Sequence, residues 1–268
     1  MKQSSIWRAL RIGLCAVTIV FLVAPMLLVL TISFSSAQFL TFPPPGWSLQ
    51  WYRNVFNAPE WSDTLFNTIE VVIPTGVLAT VIGTAAAVGL VRGNFPGRAA
   101  ITGVLMAPLV VPIIVVGAAV YELFGRLSLN GTWVGFVLAH TMITVPYVVS
   151  IVSASLSTVN DQYEKAALTL GAPPWTVFRR ILFPLIAPAI LSGMLFAMVV
   201  SFDELIVSLF ISTPTFKLIT VQMWSDVMGD VNPTIAAVGS LLFVFSLLVL
   251  GIESMVRRGG GSGGHIQG

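Results

Sequence analysis

From residue 12 to residue 34 the chain runs without a single charged side chain. Roughly 20 apolar residues in a row are what an α-helix needs to cross the hydrocarbon core of a bilayer, so this run restricts the chain more than any other feature. Lipid cannot satisfy backbone N–H and C=O groups, and a helix satisfies its own. Mostly apolar runs recur at 65–91, 99–123, 132–156, 188–211 and 235–256. The expectation is an all-α, polytopic membrane protein of six transmembrane helices. Composition agrees: 56% of residues are hydrophobic and only 9% charged, against about a quarter charged in soluble domains.

Lys2, Arg8 and Arg11 precede the first run as they would in a signal peptide. An apolar signal core is only about 7–15 residues long, so this run reads as a retained first span with its N-terminus in the cytoplasm. With that orientation, Lys2, Arg8, Arg11, Arg92, Arg98, Lys165, Arg179, Arg180, Arg257 and Arg258 fall in the cytoplasm. Arg53, Arg126 and Lys217 fall outside. Ten against three is a strong positive-inside bias and places both termini in the cytoplasm.

The segment 35–66 carries Phe39, Phe42, Trp47, Trp51, Tyr52, Phe56 and Trp61 and reads as an extracytoplasmic interfacial stretch. Pro108 and Pro112 predict a kink in the third span and Pro146 one in the fourth. Pro188 suits the first turn of the fifth. Residues 212–234 read as a polar loop. The tail 259–268, GGGSGGHIQG, reads as a flexible linker outside the domain.

Several chemistries lack their parts. No Gly-Lys pair offers a phosphate-cradling loop, and neither H-E-x-x-H nor G-x-S-x-G occurs. The single cysteine, Cys15, permits no internal disulfide, and the two histidines, His140 and His265, make no metal site. His140 reads as a packing residue at a kink. The chain is therefore expected to be no enzyme, to hold no metal or cofactor, and to bind no nucleic acid.

The polar stretch 161–184, DQYEKAALTLGAPPWTVFRRILFP, lies on the cytoplasmic side in this topology. Asp161 followed by Glu164 reads as a capping box. Tyr163, Ala166, Ala167 and Leu170 share one helix face, narrowed at its centre by the alanines. Gly171 supplies a left-handed turn, and Pro173-Pro174 starts a second helix to about residue 182.

Ala166-Ala167, Gly171, Ile181 and Pro184 at this spacing resemble the E-A-A-x-x-x-G-x9-I-x-L-P loop of binding-protein-dependent ABC importer permeases. Lys165 stands at the family glutamate, with Glu164 one place earlier, and Phe183 at the family leucine. Trp51-Tyr52, His140 with Pro146, and Ser201-Phe202-Asp203-Glu204 extend the resemblance toward the spermidine/putrescine permease group, with its MetI-like transmembrane domain. It implies the type I importer permease fold over 1–258: a first helix at 12–34, a shared five-helix core over about 65–256 and a coupling loop at 157–184.

It further implies a bacterial inner-membrane location, a second permease subunit, two ATPase subunits that bind ATP and Mg, and an extracytoplasmic solute-binding protein. The coupling residues it implies are Glu164, Lys165, Ala166, Ala167, Gly171, Ile181 and Pro184. The solute it implies is a polyamine. An amino acid derivative or opine is the alternative, since Pro112 is followed by Ile113 where polyamine relatives carry an acid. A secondary transporter is a more distant rival.

Asp203 and Glu204 lie in the fifth run, about 22 Å along a helix from residue 188 and past the midplane. Charges at such depth face a cavity or a partner. They are the candidate residues of the substrate path, Asp203 foremost. Glu122 with Tyr121 and Glu70, near the outer span ends, are weaker candidates.

Overall fold

The computed structural model describes residues 2–229 and 231–260. In chain order its helices are α1 (Lys2–Ser33), α2 (Gln50–Asn57), α3 (Pro59–Arg92), α4 (Arg98–Val110), α5 (Ile113–Arg126) and α6 (Trp133–Thr158). There follow α7 (Gln162–Thr169), α8 (Pro174–Val177), a π-helical turn (Phe178–Leu182), α9 (Phe183–Asp203), α10 (Ile206–Ile211), α11 (Ile219–Met228) and α12 (Thr234–Gly260). Among the described residues there is no strand, only the isolated bridges Ser35↔Trp47 and Thr213↔Phe216.

Four helices are long and apolar enough to cross a membrane: Leu10–Ser33, Pro59–Arg92, Trp133–Thr158 and Pro174–Asp203. The pair α4 and α5, bent by 106°, makes a fifth if counted as one span, and Thr234–Leu248 is a shorter apolar helix. The bend is far more than a kink. Val111 precedes Pro112 and is driven into extended backbone at ψ 132, and Pro112 has no N–H with which to continue the helix.

Two compact units emerge. One comprises Met1–Ser62 and Met223–Leu247. In it the rings of the aromatic segment divide between surface and core. Phe39, Phe42, Trp47 and Phe56 are exposed, but Trp51 and Trp61 are buried. Trp51 Nε1 donates to the Ser35 carbonyl at 2.9 Å, and the Tyr52 hydroxyl lies 2.7 Å from both Ser33 Oγ and Ser240 Oγ. Asn54 Nδ2 donates to Thr234 Oγ1 at 2.9 Å. These bonds fasten α2 between the end of α1 and the start of α12; Ile32 at that end of α1 is buried, whereas its described apolar side chains from Trp7 to Leu28 stay exposed.

The other unit comprises Asp63–Gln222 and Leu248–Gly268. Its first apolar cluster joins Ala79, Ala87 and Leu90 of α3 to Val145, Val148, Val149, Val152 and Leu156 of α6 and to Leu182, Ile186 and Ala197. Close approach is set by missing side chains: a Cβ on Gly83 would stand 2.7 Å from Val148 Cβ. A second cluster packs α5 on α10 through Val120, Phe124, Val207 and Ile211, with Phe136 and Val71.

Four boundaries depart from expectation. The fifth helix does not open at Pro188, which lies inside α9, but runs continuously from Pro174. Its π-turn sits directly before Pro184, whose ring would press on the Arg180 carbonyl in a regular α-helix; the Phe183 N–H bonds to Phe178 O instead. Nor does it reach residue 211, because Glu204 turns extended at ψ 115. The expected polar loop 212–234 contains α11, whose Ile219, Thr220, Val221 and Gln222 are buried. The tail expected at 259–268 starts within α12, and 261–268 lie outside the described residues.

Candidate functional site

Two polar places interrupt the apolar unit. The first is the loop between α6 and α9. Asp161 does not cap α7: its backbone is already helical at φ −67, and the Gln162 N–H is taken by Asn160 Oδ1 at 3.0 Å. The Asp161 carboxylate instead accepts Lys165 Nζ at 2.7 Å, one turn on. The Lys165 hydrogen bond, and then its charge, hold the Asp161 carboxyl below its usual range. Any stability from this exposed pair is present above the ordinary carboxylate range and fades as pH falls through the depressed value.

Glu164 Oε1 accepts from Arg92 Nε at 2.8 Å, and Arg92 Nη2 donates to the Val159 carbonyl at 3.0 Å. α7 ends as a Schellman turn: Gly171 stands at φ +83, its N–H bonds to Leu168 O, and Ala172 N–H bonds to Ala167 O. Pro173 is extended, and Pro174 opens the next helix. Ala166 and Pro184 are exposed, Ala167 and Ile181 half-buried. Tyr163, Leu168, Leu170 and Trp175 are exposed as well, Leu170 at 88%. Trp175 stacks on Phe178 at 5.5 Å. The second limb is rooted by Leu182, 2% exposed, in the first apolar cluster.

The second place is the break after α9. Glu204 folds back over α10, accepting the Val207 N–H on Oε1 at 2.8 Å and the Ser208 N–H on Oε2 at 2.9 Å. It thereby satisfies backbone donors that lipid could not. The Ser208 hydroxyl donates to Oε2 as well, at 3.1 Å. His140, wholly buried on α6, sets Nδ1 2.8 Å from Ser201 Oγ and Nε2 2.9 Å from Ser208 Oγ. With Ser208 donating to Glu204, the proton facing Ser208 belongs to Nε2. Thr220 Oγ1 donates to the Glu204 carbonyl at 3.0 Å, and Thr68 Oγ1 accepts the Ile219 N–H at 2.8 Å. The break is a fully connected network of α3, α6, α9, α10 and the head of α11.

The two acids are therefore unlike. Glu204 is enclosed and engaged, and Asp203 is exposed, with no ion pair to Lys217 or any other described residue. α9 alone has 21 residues, about 31 Å at 1.5 Å per residue, close to the thickness of the hydrocarbon core. Asp203 is the last residue of α9 and of the candidate span that begins at Pro174. Glu122 pairs with Arg126 at 2.8 Å on an exposed helix face, and neighbouring Tyr121 is 51% exposed. The Glu70 carbonyl accepts Trp133 Nε1 at 3.0 Å.

Sequence reasoning missed Arg92, Asn160, Ser208 and Thr220. Asn160 had a local signal, an Asx residue two before a helix start. The others pair across 72, 68 and 16 residues, with no sequence cue for the match.

The model of the binding-protein-dependent transport system inner membrane component family matches residues 79–259. The spermidine/putrescine transport system permease protein PotC of Haemophilus influenzae is 28% identical over 251 residues, 93% of this chain and 96% of that one. The putrescine transport system permease protein PotI of Escherichia coli is 33% identical over 239 residues, 87% of this chain and 85% of that one. Among solved structures, a bacterial ABC transporter involved in alginate import superposes with a TM-score of 0.71 at 14% identity, covering 97% of this chain and 98% of that one. An amino acid ABC transporter with histidines gives 0.59 at 18% identity, covering 78% and 97%.

Proposed function

Because the chain belongs to the family of binding-protein-dependent transport system inner membrane components, we propose that its 157–184 loop is where a partner ATPase drives the bundle, and that the cargo is a polyamine. The coarse function follows from the family: it is a membrane-embedded permease subunit of an ABC importer, a component that does not hydrolyse ATP.

The observation that carries the coupling reading is the exposed apolar face beside Gly171, with Leu170 left uncovered in the loop and Trp175 uncovered at the very start of the Pro174–Asp203 helix. Such a face supports a protein partner. In this reading Ala166 and Ala167 permit close approach and Gly171 sets the angle between the limbs. Ile181 and Pro184 carry motion into α9, and Glu164 and Lys165 hold α7 by their own ion pairs.

Six spans follow if α4 with α5 counts as one and α12 as the last, with both termini in the cytoplasm of a bacterial inner-membrane protein. The ten-to-three distribution of Lys and Arg supports that orientation. The assembly in this proposal has a second permease subunit, two ATPase subunits carrying ATP and Mg, and a solute-binding protein at the outer face.

A polyamine suits the free carboxylate of Asp203, since a polycation leaving water needs countercharge. Coverage of nearly the whole chain by the polyamine permeases supports the same solute, whereas a trehalose permease of Mycobacterium tuberculosis matches at 28% over 59% of the chain. The test is uptake of labelled spermidine and putrescine by the reconstituted complex with its binding protein. Active ATPase without uptake of either would move the cargo to amino acid derivatives or opines. Asp203→Asn is expected to slow polyamine uptake roughly tenfold or more, the loss of one charge-assisted contact, while the subunit accumulates and assembles normally. Unchanged uptake kinetics would remove Asp203 from the path.

A further inference from the structure

We infer that Arg92 is a positioning residue: a strut that passes movement of the 157–184 loop to α3 and α6, and that commits Glu164 to this chain instead of to the ATPase. This rests on the importer reading above. α7 buries none of its residues. Its Asp161–Lys165 pair is internal to one turn, so it ties α7 to nothing else. Among the described residues, the side-chain hydrogen bond from α7 to another helix is Glu164 to Arg92.

The guanidinium is well placed for three-way contact. Arg92 is the last residue of α3, where a cation suits the helix dipole, and Glu164 lies in the first turn of α7, where an anion does. Nε holds Glu164 while Nη2 holds Val159, the residue that ends α6. The rigid fork of arginine makes both bonds at once, a geometry that a lysine point charge cannot reproduce. The two side chains are 22% and 17% exposed, shielded more than a surface pair. Leu90, two residues before Arg92, and Leu156, three before Val159, belong to the apolar cluster that joins α3 and α6, so force on α7 arrives at packed helices.

The experiment uses the whole reconstituted complex and reads solute moved per ATP hydrolysed in Arg92→Glu, Glu164→Arg, the double exchange and Glu164→Gln. Each charge reversal is expected to leave assembly and hydrolysis in place and lower the transport ratio at least roughly fivefold, the range of a broken coupling contact. The double exchange is expected to recover more than either single change. An unchanged ratio in the reversals overturns the strut. So does a double exchange no better than Glu164→Arg, which would make Glu164 a contact to the ATPase in trans. Should the reversals not accumulate, Glu164→Gln decides: it keeps the shape and loses the charge, and an unchanged ratio again overturns the proposal. A wild-type complex that retains no ATPase would overturn the importer reading of the loop itself, a result separate from any variant.

Discussion

Gly171→Val is expected to abolish uptake while the subunit still reaches the membrane in normal amount. The cause is backbone conformation alone. Gly171 stands at φ +83, and a Cβ placed there meets nothing within 4 Å, so no neighbour is displaced. A β-branched residue in the left-handed region costs about 1–2 kcal/mol or more, and the loop relieves it by unwinding. Unwinding gives up the Gly171-to-Leu168 and Ala172-to-Ala167 bonds and re-aims Leu170 and Trp175. Gly171→Asn, which tolerates positive φ, is expected to keep most of the transport, with Gly171→Ala between. Uptake and ATPase co-purification across the three variants check this order. Normal transport by the valine variant would mean that the turn does not set the docking geometry.

Gly83→Ala is expected to fail differently, by losing the folded subunit. Its new Cβ would lie 2.7 Å from Cβ and Cγ1 of Val148, which is 0% exposed, and 3.4 Å from the Val145 carbonyl. A Cβ cannot swing aside, so α3 and α6 must separate, at about 1–3 kcal/mol for overpacking a closed core. Gly76→Ala is the control. There the new Cβ meets Cγ of Met198 at 2.5 Å and Cε at 2.9 Å, an unbranched side chain that can turn about its own χ1, and a smaller loss than at Gly83 is expected. Thermal unfolding in detergent distinguishes the two, and Val148→Ala is expected to rescue Gly83→Ala. Equal stability of both variants would show that α3 and α6 do not rely on this contact.

What could be read from the sequence followed from local rules. Helices α1, α3 and α6 announce themselves as long apolar runs, and the turn at Gly171 is dictated by a glycine between a helix face and two prolines. The 106° bend was underestimated because Pro108 and Pro112 look alike in sequence. Only Pro112 has Val111 driven into extended backbone before it. The end of α9 was misplaced because hydropathy continues across it, and the break is made by Glu204 capping α10. α11 passed for a loop since its buried residues Ile219 to Gln222 are a short cluster, held by a threonine on α3. Asp161 and Asn160 compete for the same cap, and composition cannot say which wins.

The pairing of every charge on α7 within the chain has a consequence for ionic strength. Asp161 with Lys165 and Glu164 with Arg92 leave that limb nearly neutral toward a partner, presenting Tyr163, Leu168 and Leu170. Arg179 and Arg180 on the other limb are exposed. Raising salt from about 0.1 to 1 M shortens the Debye length from about 10 to 3 Å, which screens exposed charges and leaves apolar contact intact. ATPase attachment is therefore expected to weaken with salt only by what the two arginines contribute, and Arg179→Gln with Arg180→Gln should flatten that dependence.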